Sequence, residues 1–237
     1  MPVFADLFSG VAEGYQNYRP HYPDALFRYL ARIAPSRECA WDCATGSGQA
    51  AVGLSRCFRE VVATDASPGQ IARARAAPGI AYRVAEAENS GLSPAGIDLI
   101  TVAQALHWLD LSRFYAEVRR VLRPGGVLAV WSYNLLRSEP ELDLVVDRLY
   151  RDILGPFWPT ERRSVESGYR DLAFPFRELS PPTFEMATDW SCAQLIGYLS
   201  TWSAVARYRA QTGADPIEQV APALAEVWGD PERTKPI

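Results

Sequence analysis

The sequence predicts an α/β protein, built on a doubly wound and mostly parallel sheet with helices on both faces. Three observations carry this. Strand-like and helix-like segments alternate five times between residues 36 and 134, the rhythm of parallel strands joined by right-handed crossovers. The run Ile97 to Gln104 is nearly continuous in apolar residues, which suits a strand buried on both faces. Two glycines stand in Thr45-Gly46-Ser47-Gly48, directly after the first strand-like stretch, where the chain must turn sharply from strand to helix.

Each element has its own signal. Residues 1–22 hold Phe4, Phe8, Tyr15, Tyr18 and Tyr22 with no helical or strand period, so they are expected to pack on something else, as a lid. Pro23-Asp24 opens a helix in which Leu26, Phe27, Leu30 and Ile33 recur at three to four residues, and Pro35 ends it. Cys39–Cys43 reads as the first strand, residues 49–58 as a helix and residues 61–65 as the second strand. Ser67 is the expected N-cap and Pro68 the first residue of a helix that stops near Pro78-Gly79. Residues 80–85 and 97–104 read as the third and fourth strands, and residues 111–122 as an amphipathic helix. Pro124-Gly125-Gly126 then reads as a hard turn into a fifth strand at residues 127–131.

Beyond Asn134 the pattern changes. Helices are expected over residues 142–154, 194–206 and 216–228, and a sixth strand over residues 183–188. No linker composition or repeat interrupts the chain, so residues 1–237 read as a single domain.

Composition narrows the function classes. The chain is 48% hydrophobic and 22% charged, with a net charge of −4, which argues against a non-specific nucleic-acid binder. No apolar run approaches the ~20 residues of a membrane span. The N-terminal residues lack the basic and apolar regions of a signal peptide, so a cytoplasmic location is expected. Cysteines 39, 43, 57 and 192 form no Cys-x-x-Cys pair, and the only histidines are His21 and His107. Buried free thiols are therefore expected, and no metal site.

Ligands of open α/β sheets bind outside the carboxyl ends of the strands. Here the first strand ends in Asp42 and the glycine loop, and the second ends in Asp65, twenty-three residues later. An acid at that place can accept both hydroxyls of a ribose. Gly46-Ser47-Gly48-Gln49-Ala50-Ala51 formally fits a dinucleotide pattern. Asp42 favours another reading, because a carboxylate before the loop repels a pyrophosphate. It suits a cofactor carrying an ammonium group, as S-adenosylmethionine does beside its sulfonium.

Taken together, the chain resembles a class I S-adenosylmethionine-dependent methyltransferase, in the methyltransferase type 11 and trans-aconitate methyltransferase-like branch. The resemblance rests on Tyr15-x-x-Tyr18-Arg19-Pro20-x-Tyr22-Pro23, Asp42-x-x-Thr45-Gly46-x-Gly48, Thr64-Asp65-x-Ser67 and Ala87-Glu88-Asn89. Gln104-Ala105-Leu106-His107-Trp108 and Leu122-Arg123-Pro124-Gly125-Gly126 complete it. It implies a Rossmann-like fold with a helical cap and S-adenosyl-L-methionine as cofactor. Residues 1–22 would then be the lid, 36–134 the cofactor-binding core and 135–210 the cap over the acceptor.

The resemblance also implies roles for residues. Ala44, Thr45, Gly46, Ser47 and Gly48 would cradle the methionine moiety, with Asp42 on its amino group. Asp65 would hold the ribose hydroxyls, flanked by Ala66 and Gln70. Ala87 N–H would meet an adenine ring nitrogen, with Glu86 or Glu88 on the exocyclic amine. Gln104 and Ala105 would lie beside the sulfonium. Tyr18 would face the sulfonium, and Arg19 would bind either an anionic acceptor or the cofactor's own carboxylate. His107 is the candidate base, although its place in a short loop also suits a purely structural histidine. Arg207 and Arg209 are further candidates for an acceptor carboxylate, or simply part of a solvated helix face. The resemblance implies a final antiparallel strand beside the fifth, and the sequence is expected to lack it, because Lys235-Pro236-Ile237 stands where it would begin.

The expected activity is methylation of a small molecule, with a carboxylate oxygen ahead of other acceptors. Two alternatives stand beside it: a non-catalytic cofactor-binding protein on the same fold, and an NAD(P)-dependent oxidoreductase, which Asp42 disfavours.

Overall fold

The computed structural model describes residues 21–237. The expected lid at residues 1–22 therefore lies almost wholly outside the described residues, and with it Tyr18 and Arg19.

Five parallel strands form the main sheet. They are β1 (Cys39–Cys43), β2 (Glu60–Asp65), β3 (Ile80–Val84), β4 (Ile97–Ala103) and β5 (Leu122–Trp131), in the order β3-β2-β1-β4-β5. The chain runs outward to β3 and then crosses back to β4, so the order reverses between β1 and β4, and ligands bind at such a reversal. The connecting helices are α1 (Asp24–Ile33), α2 (Gln49–Leu54), α3 (Pro68–Ala72) and α4 (Leu111–Val121).

Alternation along the strands fills both faces. Trp41, Ile100 and Val102 pack with Phe114 and Val118 of α4. Their neighbours Ala40 and Leu99, with Val61 and Ala63, pack with Leu26, Phe27 and Leu30 of α1 and Leu54 of α2. Gly53 allows α2 to approach α1, since a Cβ there would lie 2.1 Å from the Phe27 ring. Asp98, fully buried near the start of β4, accepts from the backbone N–H groups of Glu38 and Cys39 and pairs with Arg123 at 2.8 Å. It ties the amino ends of the strands together and leaves the carboxyl ends to the site.

Several boundaries differ from expectation. Helix α2 ends at Leu54 and α3 at Ala72. The α3 cap is as expected, with Gln70 N–H donating to Ser67 Oγ and Pro68 in the first turn. Past α3, backbone groups of Arg75 turn away from a helix, its N–H donating to Ser47 O and its carbonyl accepting from Tyr82 Oη. Leu122 already pairs with Ile97, and residues 123–126 loop out before Val127 pairs with Leu99. The hard turn thus lies inside β5.

The expected sixth strand at residues 183–188 is not formed. Pro175, Pro181 and Pro182 remove backbone donors from the segment that leads to it. That segment is held by side chains: Tyr115 Oη donates to Ala173 O, the Arg119 guanidinium lies over Phe176, and Phe184 packs on Tyr29. The sixth strand is instead β6 (Asp189–Trp190), antiparallel to β7 (Lys235–Pro236) in a sheet of its own. Among the described residues no strand pairs with the outer edge of β5.

The described chain packs as two units: His21–Asn134 with Arg163–Met186, and Leu135–Arg162 with Ala187–Ile237. The first holds the main sheet. The second is helical, with α5 (Pro140–Asp147), a π-helical turn over Arg148–Ile153, α7 (Cys192–Ser200), α8 (Ser203–Thr212) and α9 (Ala221–Trp228). The short α6 (Arg162–Glu166) lies at the border between the two in sequence. The expected helix at residues 142–154 is therefore α5 continued by the π turn, and the one at 194–206 is two helices broken near Thr201-Trp202. Leu142, Leu149, Leu195, Leu199 and Leu224 form the second core with Trp190, Trp202 and Trp228. The only lysine of the chain, Lys235, is buried against Glu139 Oε2 and the Val227 carbonyl.

Candidate active site

The carboxyl ends of β1, β2 and β4 bring the sequence-expected acids and the glycine loop together. Asp42 is 1% exposed. Thr45 Oγ1 donates to its Oδ2 at 2.5 Å, and Thr101 Oγ1 donates to its Oδ1 at 2.7 Å. Burial pushes its carboxyl up to about 6, against the hydrogen bonds from Thr45, Thr101 and the Ala51 backbone, with a further upward push from Asp65. Thr101 was not singled out in the sequence. It faces Asp42 in register across β1 and β4, and its signal was a polar residue inside the apolar run of β4.

Asp65 is 9% exposed and holds the loop from the side of β2. Gly46 N–H donates to its Oδ2 at 2.8 Å, and Ser67 N–H donates to its Oδ1 at 2.9 Å. Both carboxylate oxygens thus face the glycine loop and the start of α3. Thr45 N–H donates to Thr64 O, and Gly48 N–H to Thr45 O. Gly48 has φ +87°, and a Cβ on it would meet Tyr82 Oη at 2.2 Å. Gly46 has φ +56°, and among the described residues nothing lies within 4 Å of the corresponding position, so these leave its backbone open to close approach.

Backbone strain marks the same strand ends. Ala44, just after β1, has φ 53°, and Gln104, just after β4, has φ 58°. Such conformations are uncommon for residues with a side chain and concentrate at functional sites. Gln104 Nε2 donates to Tyr133 O at 2.9 Å and Gln104 N–H to Trp131 O, which fixes the end of β4 to the end of β5. Ala105 is buried beside it.

The remaining expected residues are placed as follows. Ala66 follows Asp65, and Gln70 is buried in α3. Ala87 is buried within a tight turn in which Glu86 bridges to Asn89. Glu86 is exposed, whereas Glu88 Oε1 accepts from Asp110 N–H at the cap of α4. His107 lies in a short 3₁₀ turn, Leu106–Trp108, and its Nδ1 stands 3.0 Å from Tyr169 Oη. Arg209 pairs with Asp215 at 2.6 Å, which supports the solvated-face reading for it. Among the described residues no group of three or more His, Cys, Asp or Glu could hold a metal. No described helix is long and apolar enough to cross a membrane.

The residues fit S-adenosylmethionine. A buried carboxyl whose ionisation is suppressed gains most from a cation placed against it, and the open backbone at Gly46 admits a chain close to the sheet.

Comparison with known proteins agrees. Residues 41–130 match the family described as a methyltransferase domain. A Dictyostelium discoideum protein assigned to the methyltransferases is 33% identical over 95% of this chain and 87% of its own length. An uncharacterised methyltransferase of Mycobacterium tuberculosis is 36% identical over 67% of this chain and 69% of its own. A solved structure from Anaeromyxobacter dehalogenans, assigned as a type II methyltransferase, is 52% identical. It covers 92% of this chain and 93% of its own, with a TM-score of 0.87. From fold and relatives together, the chain belongs to the class I S-adenosylmethionine-dependent methyltransferases.

Proposed function

We propose that this methyltransferase acts on a small molecule and transfers the methyl group to a carboxylate oxygen. The observation that supports this is the set of groups at the ends of β4 and β5. Among the described residues these are Gln104, His107, Tyr133 and Tyr169, with no carboxylate or lysine among them, and the candidate base His107 has its Nδ1 engaged with Tyr169 Oη. An amine or phenol acceptor must lose a proton to a base, whereas a carboxylate needs only to be placed in line. The negative net charge of −4 also fits a small acceptor better than a nucleic acid.

When bound, S-adenosylmethionine supplies an activated methyl group on a sulfonium. In this reading the chain's residues position and exclude water. Asp42 receives the ammonium group, directly or through one water, and Ala44 to Gly48 line the methionine moiety. Asp65 receives the ribose hydroxyls, with Ala66 and Gln70 beside them. Ala87 N–H and a carboxylate of Glu86 or Glu88 read the adenine edge. Gln104 and Ala105 border the reacting end. A site closed to water would assist such a transfer more than an acid would. Acceptor choice lies with segments outside the sheet, because the sheet ends serve the donor.

Purified protein, S-adenosylmethionine labelled in its methyl group and a panel of small carboxylic acids, phenols and amines test this. Base-labile label in carboxylic-acid products is expected. Label confined to phenol or amine products would contradict the carboxylate reading.

A further inference from the structure

Tyr169 is not singled out by the sequence, and its backbone is strained in the turn that closes the carboxyl end of α6. Gly168 and Tyr169 are consecutive residues in the left-handed region, at φ 64° and φ 63°. Glycine adopts that conformation freely, but an aromatic residue does so only at a cost, and such outliers cluster where geometry serves function. The turn is fixed by Tyr169 N–H, which donates to Ser164 O at 2.7 Å, and by Tyr169 O, which accepts from Leu172 N–H at 3.1 Å. Its result is to bring the Tyr169 ring over His107. The ring centroids are 5.8 Å apart at an interplanar angle of 28°, and Tyr169 Oη stands 3.0 Å from His107 Nδ1. His107 also packs on Trp108 at 4.8 Å. The imidazole is therefore packed against two rings and held by a hydrogen bond at one named nitrogen, three residues beyond the strained Gln104 that ends β4.

We infer that Tyr169 is a positioning residue, whose hydroxyl donates to His107 Nδ1 and keeps the ring proton on Nε2. A phenol is a stronger donor than acceptor, and a neutral imidazole offers one acceptor and one donor nitrogen. With Nδ1 accepting, the imidazole presents N–H at Nε2. It then orients an acceptor oxygen by hydrogen bonding instead of removing a proton from it. This rests on the carboxylate reading for its purpose, since a carboxylate is an acceptor of hydrogen bonds that needs no base. The tautomer itself does not depend on that reading.

Only two histidines occur in the chain, so a nitrogen-15 spectrum of histidine-labelled protein at pH 8, saturated with S-adenosylhomocysteine, is readily assigned with His21→Gln. The expected result is a single His107 tautomer with the proton on Nε2, and a mixed or inverted tautomer in Tyr169→Phe, which keeps the ring and removes the hydroxyl. Thermal unfolding of Tyr169→Phe close to that of the parent chain shows that the change is local. A proton found on Nδ1 in the parent chain overturns the inference, as does an unchanged tautomer in Tyr169→Phe. Failure to find methyl esters with the proton on Nε2 counts against the carboxylate reading and leaves the positioning role of Tyr169 standing.

Discussion

Lowering the pH from 8 to 5 should weaken donor binding through Asp42 before it harms the fold. The Asp42 carboxyl is pushed up to about 6, chiefly by burial, although Thr45 and Thr101 both donate to it. An ammonium group placed against it stabilises the ionised form, so a proton on Asp42 competes with the ligand. Above pH 7 the free protein is mostly ionised there and affinity should be level. At pH 5 about one molecule in eleven is ionised, and apparent affinity should be about tenfold weaker, which is about 1.4 kcal/mol. Calorimetry with S-adenosylhomocysteine between pH 5 and 8 reads this directly, and buffers of different ionisation enthalpy count the proton released. Asp42→Asn should bind at least tenfold more weakly at pH 7.5 and lose the pH dependence. The same variant should be more stable than the parent chain without ligand. A group whose folded pKa is raised contributes stability at pH below its unfolded value and loses it as pH rises through about 6. At pH 7.5 the parent chain therefore carries the cost of a buried charge that the variant lacks. Constant affinity from pH 5 to 7.5 in the parent chain would refute the assignment of Asp42 to the ammonium group.

Other consequences are separable. Asp65→Ala should lower donor affinity about ten- to a hundredfold, the loss of hydrogen bonds to a charged group, and should speed hydrogen exchange at Gly46 N–H, which Asp65 holds; normal exchange with normal affinity would exclude both roles. Gly53→Ala should destabilise the fold by about 1–3 kcal/mol through overpacking on Phe27, with donor affinity unchanged below the unfolding transition, whereas Gly48→Ala should reduce donor affinity as well. Glu117, buried and held down to about 2 by Arg120 and Ser90, should contribute stability in full above the ordinary glutamate range and lose it as pH falls from about 4.5 towards 2. The stability gap between the parent chain and Glu117→Gln in urea titrations should accordingly be wide at pH 7 and narrow at pH 3.

The parts of this fold set by local pattern were legible in the sequence. The alternation of Ala40 with Trp41 and of Leu99 with Ile100 across two faces follows from strand periodicity. Ser67-Pro68 and the turn glycines likewise act through their own backbone. The parts set by distant contacts were not legible. Residues 73–78 form no helix, and the Arg75 backbone meets Ser47 and Tyr82 instead. Residues 183–188 look like a strand by composition, but the backbone ladder that forms is at Asp189–Trp190, whose partner is Lys235–Pro236 at the far end of the sequence. In the site, Asp42, Gly46, Gly48 and Asp65 announce themselves because each stands at a strand end. Thr101 and Tyr169 act through partners 59 and 62 residues away, and no spacing in the sequence reports such pairings.

A crystal structure of the protein with S-adenosylhomocysteine tests the central claim most directly. The account predicts the ligand's ammonium group at Asp42, its ribose hydroxyls on Asp65 and its sulfur beside Gln104 and Ala105. A ligand bound away from the carboxyl ends of β1, β2 and β4, or bound there with Asp42 and Asp65 both out of contact with it, would contradict the account.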